Sequence, residues 1–302
     1  MMKNPIPLLA LLLAMILSLG QCFYQKNCDC GTADVTPSVS NSTKAMAAPL
    51  AAIALEDGSA FSTTTDDNLR FMRSDYDHLM PLSTSLEGVF NKTAAYLKGH
   101  PDRSLKVIGY YTEGEKNPST FPTLGLARAN DIKAILTRLG ASASQIEMAD
   151  LKFKSSDLTF NADTLIGGAR YEFMSLVKND TRLSDIEKRL KDKPIILYFA
   201  TNQSNLLLSD QQKQDFADLQ YYLEHKEGAK SSVTGHTDNV GNLDKNNTLS
   251  RSRADFIKNY MTKIGFPADK MTAEGKGPSV PMATNETVEG RSKNRRVEVG
   301  IQ

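Results

Sequence analysis

Residues 234–255 read TGHTDNVGNLDKNNTLSRSRAD. The stretch starts as the end of a strand, SSVTGH (Ser231–His236), and finishes as the start of a helix near Ser250. The segment between is polar and rich in Asn, Asp and Gly, as a loop is. It is flanked by one carboxylate, Asp238, and one guanidinium, Arg253, fifteen residues apart. Hosts of opposite sign held apart by a scaffold suit a guest that carries both charges. A carboxylate pairs with an ammonium, and a guanidinium fork pairs bidentately with a carboxylate. The same residues also suit an internal salt bridge, or an Asp that only shapes the loop. With the helix starting near Ser250, Arg253 falls in its first turn, where free amides and the helix dipole favour an anion.

Working outward, PIILYF (residues 194–199) is an apolar strand-like run. Ser209 with Gln212 forms a capping box. The helix that follows carries Phe216, Leu219, Tyr222 and Leu223 on one stripe. The helix near Ser250 turns Ala254, Ile257, Met261 and Ile264 inward, and Gly265 ends it at C′. KMTAEG and RRVEVGI are further strands, with Val297, Val299 and Ile301 alternating inward. The order is strand, helix, strand, helix, strand, strand. It predicts an α+β domain, a small mixed sheet with helices packed on one face.

The middle of the chain repeats this plan. Shifted by 125 positions, residues 112–145 share 11 of 34 identities with residues 237–270: Thr112, Asn117, Thr123, Leu124, Arg128, Ala129, Ile132, Lys133, Thr137, Gly140 and Ala143. Average composition gives about two. RYEF (residues 170–173) answers RVEV (residues 296–299). An internal duplication follows. The expected organisation is a signal peptide or membrane anchor over 1–20, a linker over 21–52, a first copy over 53–178, a charged helical connector over 179–193, and a second copy over 194–302.

The chain has 302 residues, 24% of them charged, and a net charge of +1. No broad positive field or basic run favours nucleic acid. Lys3 precedes an apolar run over residues 6–19, of signal-peptide length and short for a membrane span. Three fates fit it: cleavage after Gly20, lipidation of Cys22 at a loose lipobox, or retention as an anchor. All three imply export, and two tie the chain to a membrane. The three cysteines, Cys22, Cys28 and Cys30, follow that run closely, so no disulfide framework supports the folded copies. No closed metal site and no cofactor are expected from them.

GHTDNVG, followed by NNTLSRSRA and later GRSKNRRVEV, resembles the OmpA-like peptidoglycan-binding domain, over roughly residues 194–302. The resemblance implies two tandem OmpA-like domains, the first degenerate. It implies that Asp238, next to Thr237, and Arg253 bind meso-diaminopimelate of the peptidoglycan stem peptide, with Asn246 supporting the ligand. Diaminopimelate ends in an ammonium and a carboxylate on one carbon, which matches the charges read from the loop. Of Arg295 and Arg296, one is expected to tie the last strand to the loop and the other to be solvated. His236 has no nucleophile motif beside it, so no catalytic residue is expected and the protein is read as a non-enzyme.

The first copy departs from the pattern. Glu113 stands for Asp238, and Arg128 matches Arg253 at the same separation, forming a degenerate site. Phe121 replaces Asn246, and Pro118 and Pro122 stiffen the loop. This copy is expected to keep the fold, to have lost or altered ligand binding, and to serve as a spacer or a docking surface for an envelope protein. The whole is read as an exported tether on the periplasmic side of the cell envelope, with the outer membrane favoured over the inner, and not a porin. The alternative is a membrane-anchored, wall-attached component of an envelope secretion or motor complex.

Overall fold

The structure, a computed structural model, describes residues 52–158, 160–176, 181–198 and 208–302. The expected leader or anchor, the linker up to residue 51 and Cys22 lie outside the described residues. A first lobe runs β1 (Ile53–Asp57), β2 (Phe61–Thr65), β3 (Arg70–Met72), α1 (Thr84–Gly99), β4 (Arg103–Thr112), α2 (Leu124–Arg138), β5 (Ile146–Phe153), β6 (Phe160–Asn161), β7 (Thr164–Ile166) and β8 (Ala169–Ser175). A second runs α3 (Thr181–Asp192), β9 (Ile195–Tyr198), α4 (Asp210–His225), β10 (Ser231–His236), α5 (Leu243–Lys263), β11 (Met271–Gly277), α6 (Val288–Asn294) and β12 (Arg296–Ile301). The fold is α+β, as expected. Among the described residues no helix is long and apolar enough to cross a membrane.

In the second lobe the strand order is β11-β10-β12-β9, with β10 and β11 parallel and the other pairs antiparallel. Val233, Val297, Val299, Ile195 and Leu197 meet Phe216, Leu219, Leu223, Ala254, Ile257 and Met261 in one core. Each of these side chains other than Ala254 contributes roughly 1.5–3 kcal/mol of transfer free energy. The Ser209 capping box starts α4, and Gly265, at φ +104°, follows the C-cap of α5. In the first lobe β4 pairs parallel with β5 and antiparallel with β8, in the order β5-β4-β8. Central glycines match as well. A Cβ on Gly109 would lie 1.9 Å from the Gly125 carbonyl oxygen on α2, and one on Gly235 would lie 2.0 Å from that of Ser250 on α5. In both lobes a bare backbone lets the helix approach the central strand.

Three expectations are corrected. First, α5 begins at Leu243, not near Ser250, with the Asn242 side chain capping the Lys245 amide. In the first lobe α2 does begin late, at Leu124. The reason is local: Pro118 and Pro122 occupy the positions matching Leu243 and Asn247, and proline interrupts the amide ladder and restricts its predecessor. Second, α6 intervenes before the last strand, capped by Thr287. Third, the connector helix α3 belongs to the second core, where Ile186 and Leu190 are buried. Arg189 pairs with Asp215 and with Asp218 (2.6 Å), and Arg182 with Asp218 (2.8 Å), tying α3 to α4.

Both lobes lie in one compact unit, Met46–Gln302. The outer side of α2 packs on α4 and the end of α5. Lys133 Nζ meets Glu224 Oε2 at 2.5 Å, with both side chains buried. Asn130 donates to the Ile264 carbonyl (3.2 Å) and accepts from Gln220 Nε2 (3.1 Å). That face of the first lobe is therefore occupied by the second.

Candidate ligand-binding site

Asp238 lies two residues past the end of β10. Its Oδ1 accepts the Val240 amide (3.1 Å) in a local turn, and its Oδ2 accepts from Arg295 Nη1 (2.8 Å). Arg295 arrives from the junction of α6 and β12, so a helix that sequence periodicity did not indicate delivers a second cation to the site. Arg253 projects from α5 and is half-buried. Burial lowers its pKa below the ordinary guanidinium value, the Arg295 charge lowers it further, and Asp238 opposes them. Arg253 thus feels both Arg295 and Asp238, which are themselves paired. Such a site offers a guanidinium to an anion and a carboxylate to an ammonium.

Arg253 is in the third turn of α5, not the first. Backbone amides there are committed to the helix, so the expected help from the helix N-terminus is absent, and anion binding falls to the guanidiniums. Asn246 is buried, and its Nδ2 donates to the carbonyls of Val240 (3.1 Å) and Asp238 (3.4 Å). It holds the loop closed from behind. Thr237 is buried too. Its amide donates to the Gly277 carbonyl (2.9 Å), while its hydroxyl has no hydrogen-bond partner among the described residues. Ser250 Oγ accepts the Gly277 amide (2.9 Å) and donates to the Asn247 carbonyl (2.8 Å), pinning the end of β11 against α5.

The two arginines of NRR divide the work differently from expectation. Arg295 ties the last strand to the loop, but Arg296 is not solvated: it is 2% exposed. Arg296 donates from Nε to Glu298 (2.6 Å) and from Nη2 to the Val280 carbonyl (3.2 Å). Asn294, also buried, accepts the amides of Met282 and Ala283 and fixes the loop ahead of α6. His236 is buried, and neither ring nitrogen has a hydrogen-bond partner among the described residues. Burial, then the Arg296 charge, pushes its pKa below the ordinary imidazole range.

In the first lobe the structure does not bring Glu113 and Arg128 together. Glu113 is exposed and pairs with Lys152 (3.3 Å). Arg128 pairs instead with Glu115 (2.6 Å), and both side chains are 0% exposed. Arg128 also donates to the carbonyls of Tyr110 (2.7 Å), Asp75 (3.0 Å) and Met72 (3.4 Å). Glu115 accepts the amides of Thr112 (2.8 Å) and Ser74 (3.1 Å). Burial raises the Glu115 pKa, but Arg128 and these amides outweigh it and hold the carboxyl below its ordinary range. Met72 at the end of β3, with Ser74 and Asp75 just after it, seals the pair from solvent.

Residues 198–295 match the OmpA family. The chain is similar to outer membrane protein Omp38 of Acinetobacter baumannii, 35% identical over 210 residues, which are 66% of this chain and 57% of that protein. It is also similar to the peptidoglycan-binding protein ArfA of Mycobacterium tuberculosis, 41% identical over 73 residues, 24% of this chain and 22% of that protein. The chain thus spans only part of the length of these relatives. Among solved structures, the peptidoglycan-associated lipoprotein from Burkholderia pseudomallei aligns at 24% identity and a TM-score of 0.31, over 37% of this chain and 92% of that one. The second lobe carries an OmpA family domain at residues 198–295.

Proposed function

We propose that the second lobe binds peptidoglycan noncovalently and that the chain tethers a membrane to the cell wall without catalysing a reaction. The ligand group is the zwitterionic end of meso-diaminopimelate in the stem peptide. Its carboxylate meets the Arg253 fork and its ammonium joins the Asp238 carboxylate, which in the free site faces Arg295. The observation that carries this reading is the gathering of Asp238, paired with Arg295, within electrostatic reach of the half-buried Arg253. Such a cluster offers a carboxylate to an ammonium and a guanidinium fork to a carboxylate. The first lobe is a second copy of the same fold that does not bind the diamino acid, because its matching arginine is sealed by Glu115. The protein works in the cell envelope, on its periplasmic side.

Pulldown with purified sacculi tests the assignment. Wild type is retained, whereas Asp238→Ala and Arg253→Ala each lose about 2–5 kcal/mol of affinity, because each strands a charge of the ligand. Retention of either variant at the wild-type level would refute it. New muropeptides released during the incubation would contradict the non-enzymatic reading.

A further inference from the structure

Arg253, Phe256 and Tyr260 stand at i, i+3 and i+7 on α5, so they share one face of the helix. Tyr260 is about 10 Å along the axis from Arg253, seven residues at 1.5 Å each. There it lines a cleft of ≈ 340 Å³ between the lobes, together with Lys263 from α5 and Tyr76, Asp77, Phe121 and Asp131 from the first lobe. Thr120, from the first lobe, also lines the cleft. Asn130, which joins the lobes through Ile264 and Gln220, also lines the cleft. The buried Lys133–Glu224 pair lies one helical turn from Asn130 on the same helix. The walls are therefore positioned before any ligand arrives, which reduces the ordering cost of binding.

We propose that this inter-lobe cleft binds carbohydrate, the amino-sugar portion of peptidoglycan, while Asp238 and Arg253 hold the stem peptide. The proposal rests on the stem-peptide reading of that site. Aromatic side chains offer apolar bodies to the C–H groups of a pyranose, and Tyr adds a polar tip. Carboxylates and an amide supply acceptors and donors for hydroxyl and N-acetyl groups. Such a lining, a mostly apolar concavity with a few placed polar groups, fits a neutral polyol. The geometry also fits murein. The diamino acid is the third stem residue, so two residues separate it from the sugar, roughly 7 Å when extended. The side chain of the diamino acid adds the remaining reach to the 10 Å between Arg253 and Tyr260 estimated above.

The test uses the full-length chain in detergent micelles and three probes: the tripeptide L-alanyl-γ-D-glutamyl-meso-diaminopimelate, the N-acetylglucosaminyl-N-acetylmuramic acid disaccharide, and the disaccharide-tripeptide. Wild type is expected to bind the disaccharide-tripeptide about tenfold more tightly than the tripeptide. Tyr260→Ala removes that gain and leaves the tripeptide affinity unchanged. Asp77→Ala, at an exposed position unable to disturb the core, does the same. Equal affinities of wild type for the two peptides, or a gain that survives both variants, would overturn the proposal. If the tripeptide fails to bind but the disaccharide alone shifts the Tyr76 and Tyr260 amide resonances, the stem-peptide site fails and the cleft stands. Tripeptide binding with no response to the disaccharide retires the cleft alone.

Discussion

Arg128 on α2 and Arg253 on α5 occupy matching positions behind matching central strands, and the chain puts them in opposite circumstances. Arg128 is fully enclosed, with a carboxylate and three carbonyls around it. Arg253 is half-buried beside a like charge. The difference arises in the loop and its cover. In the first lobe the acid that engages the arginine is Glu115, thirteen residues ahead of Arg128, and the segment after β3 closes over both. In the second lobe the acid is Asp238, fifteen residues ahead, and it is held by Arg295 from another element. Matching positions thus hold a sealed ion pair in one lobe and a half-buried arginine near an Asp–Arg pair in the other.

The comparison is broken most readily at the arginines. Arg128→Ala leaves Glu115 buried and uncompensated, and is expected to cost about 3–5 kcal/mol of stability. Arg253→Ala, at a half-buried site on the helix surface, is expected to cost under about 1 kcal/mol. Urea denaturation of the full chain measures both. Equal losses would show that Arg253 is as structural as Arg128.

A smaller effect sharpens the contrast through pH. His236 and His225, both in the second lobe, have pKa values pushed down by burial. The unfolded chain therefore takes up protons first on acidification, and the second lobe loses stability as pH falls below about 6.5, while above that value the full stability is present. Glu115 works in a lower window. Its carboxyl pKa is depressed in the folded state, so its contribution is present above about 4.3 and is lost as pH falls through the folded value. Amide hydrogen exchange followed between pH 7 and 5 should show protection declining first in β10 and α4. His236→Phe should flatten that decline. A decline that begins in the first lobe instead would contradict the assignment.

Much of the second lobe was legible in its residues. The stripe Phe216, Leu219, Tyr222 and Leu223 and the alternation of Val297 and Val299 mark which sides face the core, and the structure buries them. Ser209 and Gln212 announce a cap by their spacing alone. The start of α5 was hidden because its first turns, LDKNNT, are polar and carry no inward stripe; Asn242 as N-cap was the available signal. Helix α6 has seven residues and exposes Val288, too little for a periodicity to register. Arg295 and Glu115 were illegible as partners for a different reason. Each depends on where a separate element lands, α6 for the former and the segment after β3 for the latter, and side-chain pairing across elements leaves no local pattern.

Calorimetric titration of the full-length chain with the diaminopimelate-containing tripeptide tests the central claim most directly. The expected result is one site per chain, unchanged by Glu113→Gln and abolished by Arg253→Ala. Two sites per chain, or one site that survives loss of Arg253, would contradict it.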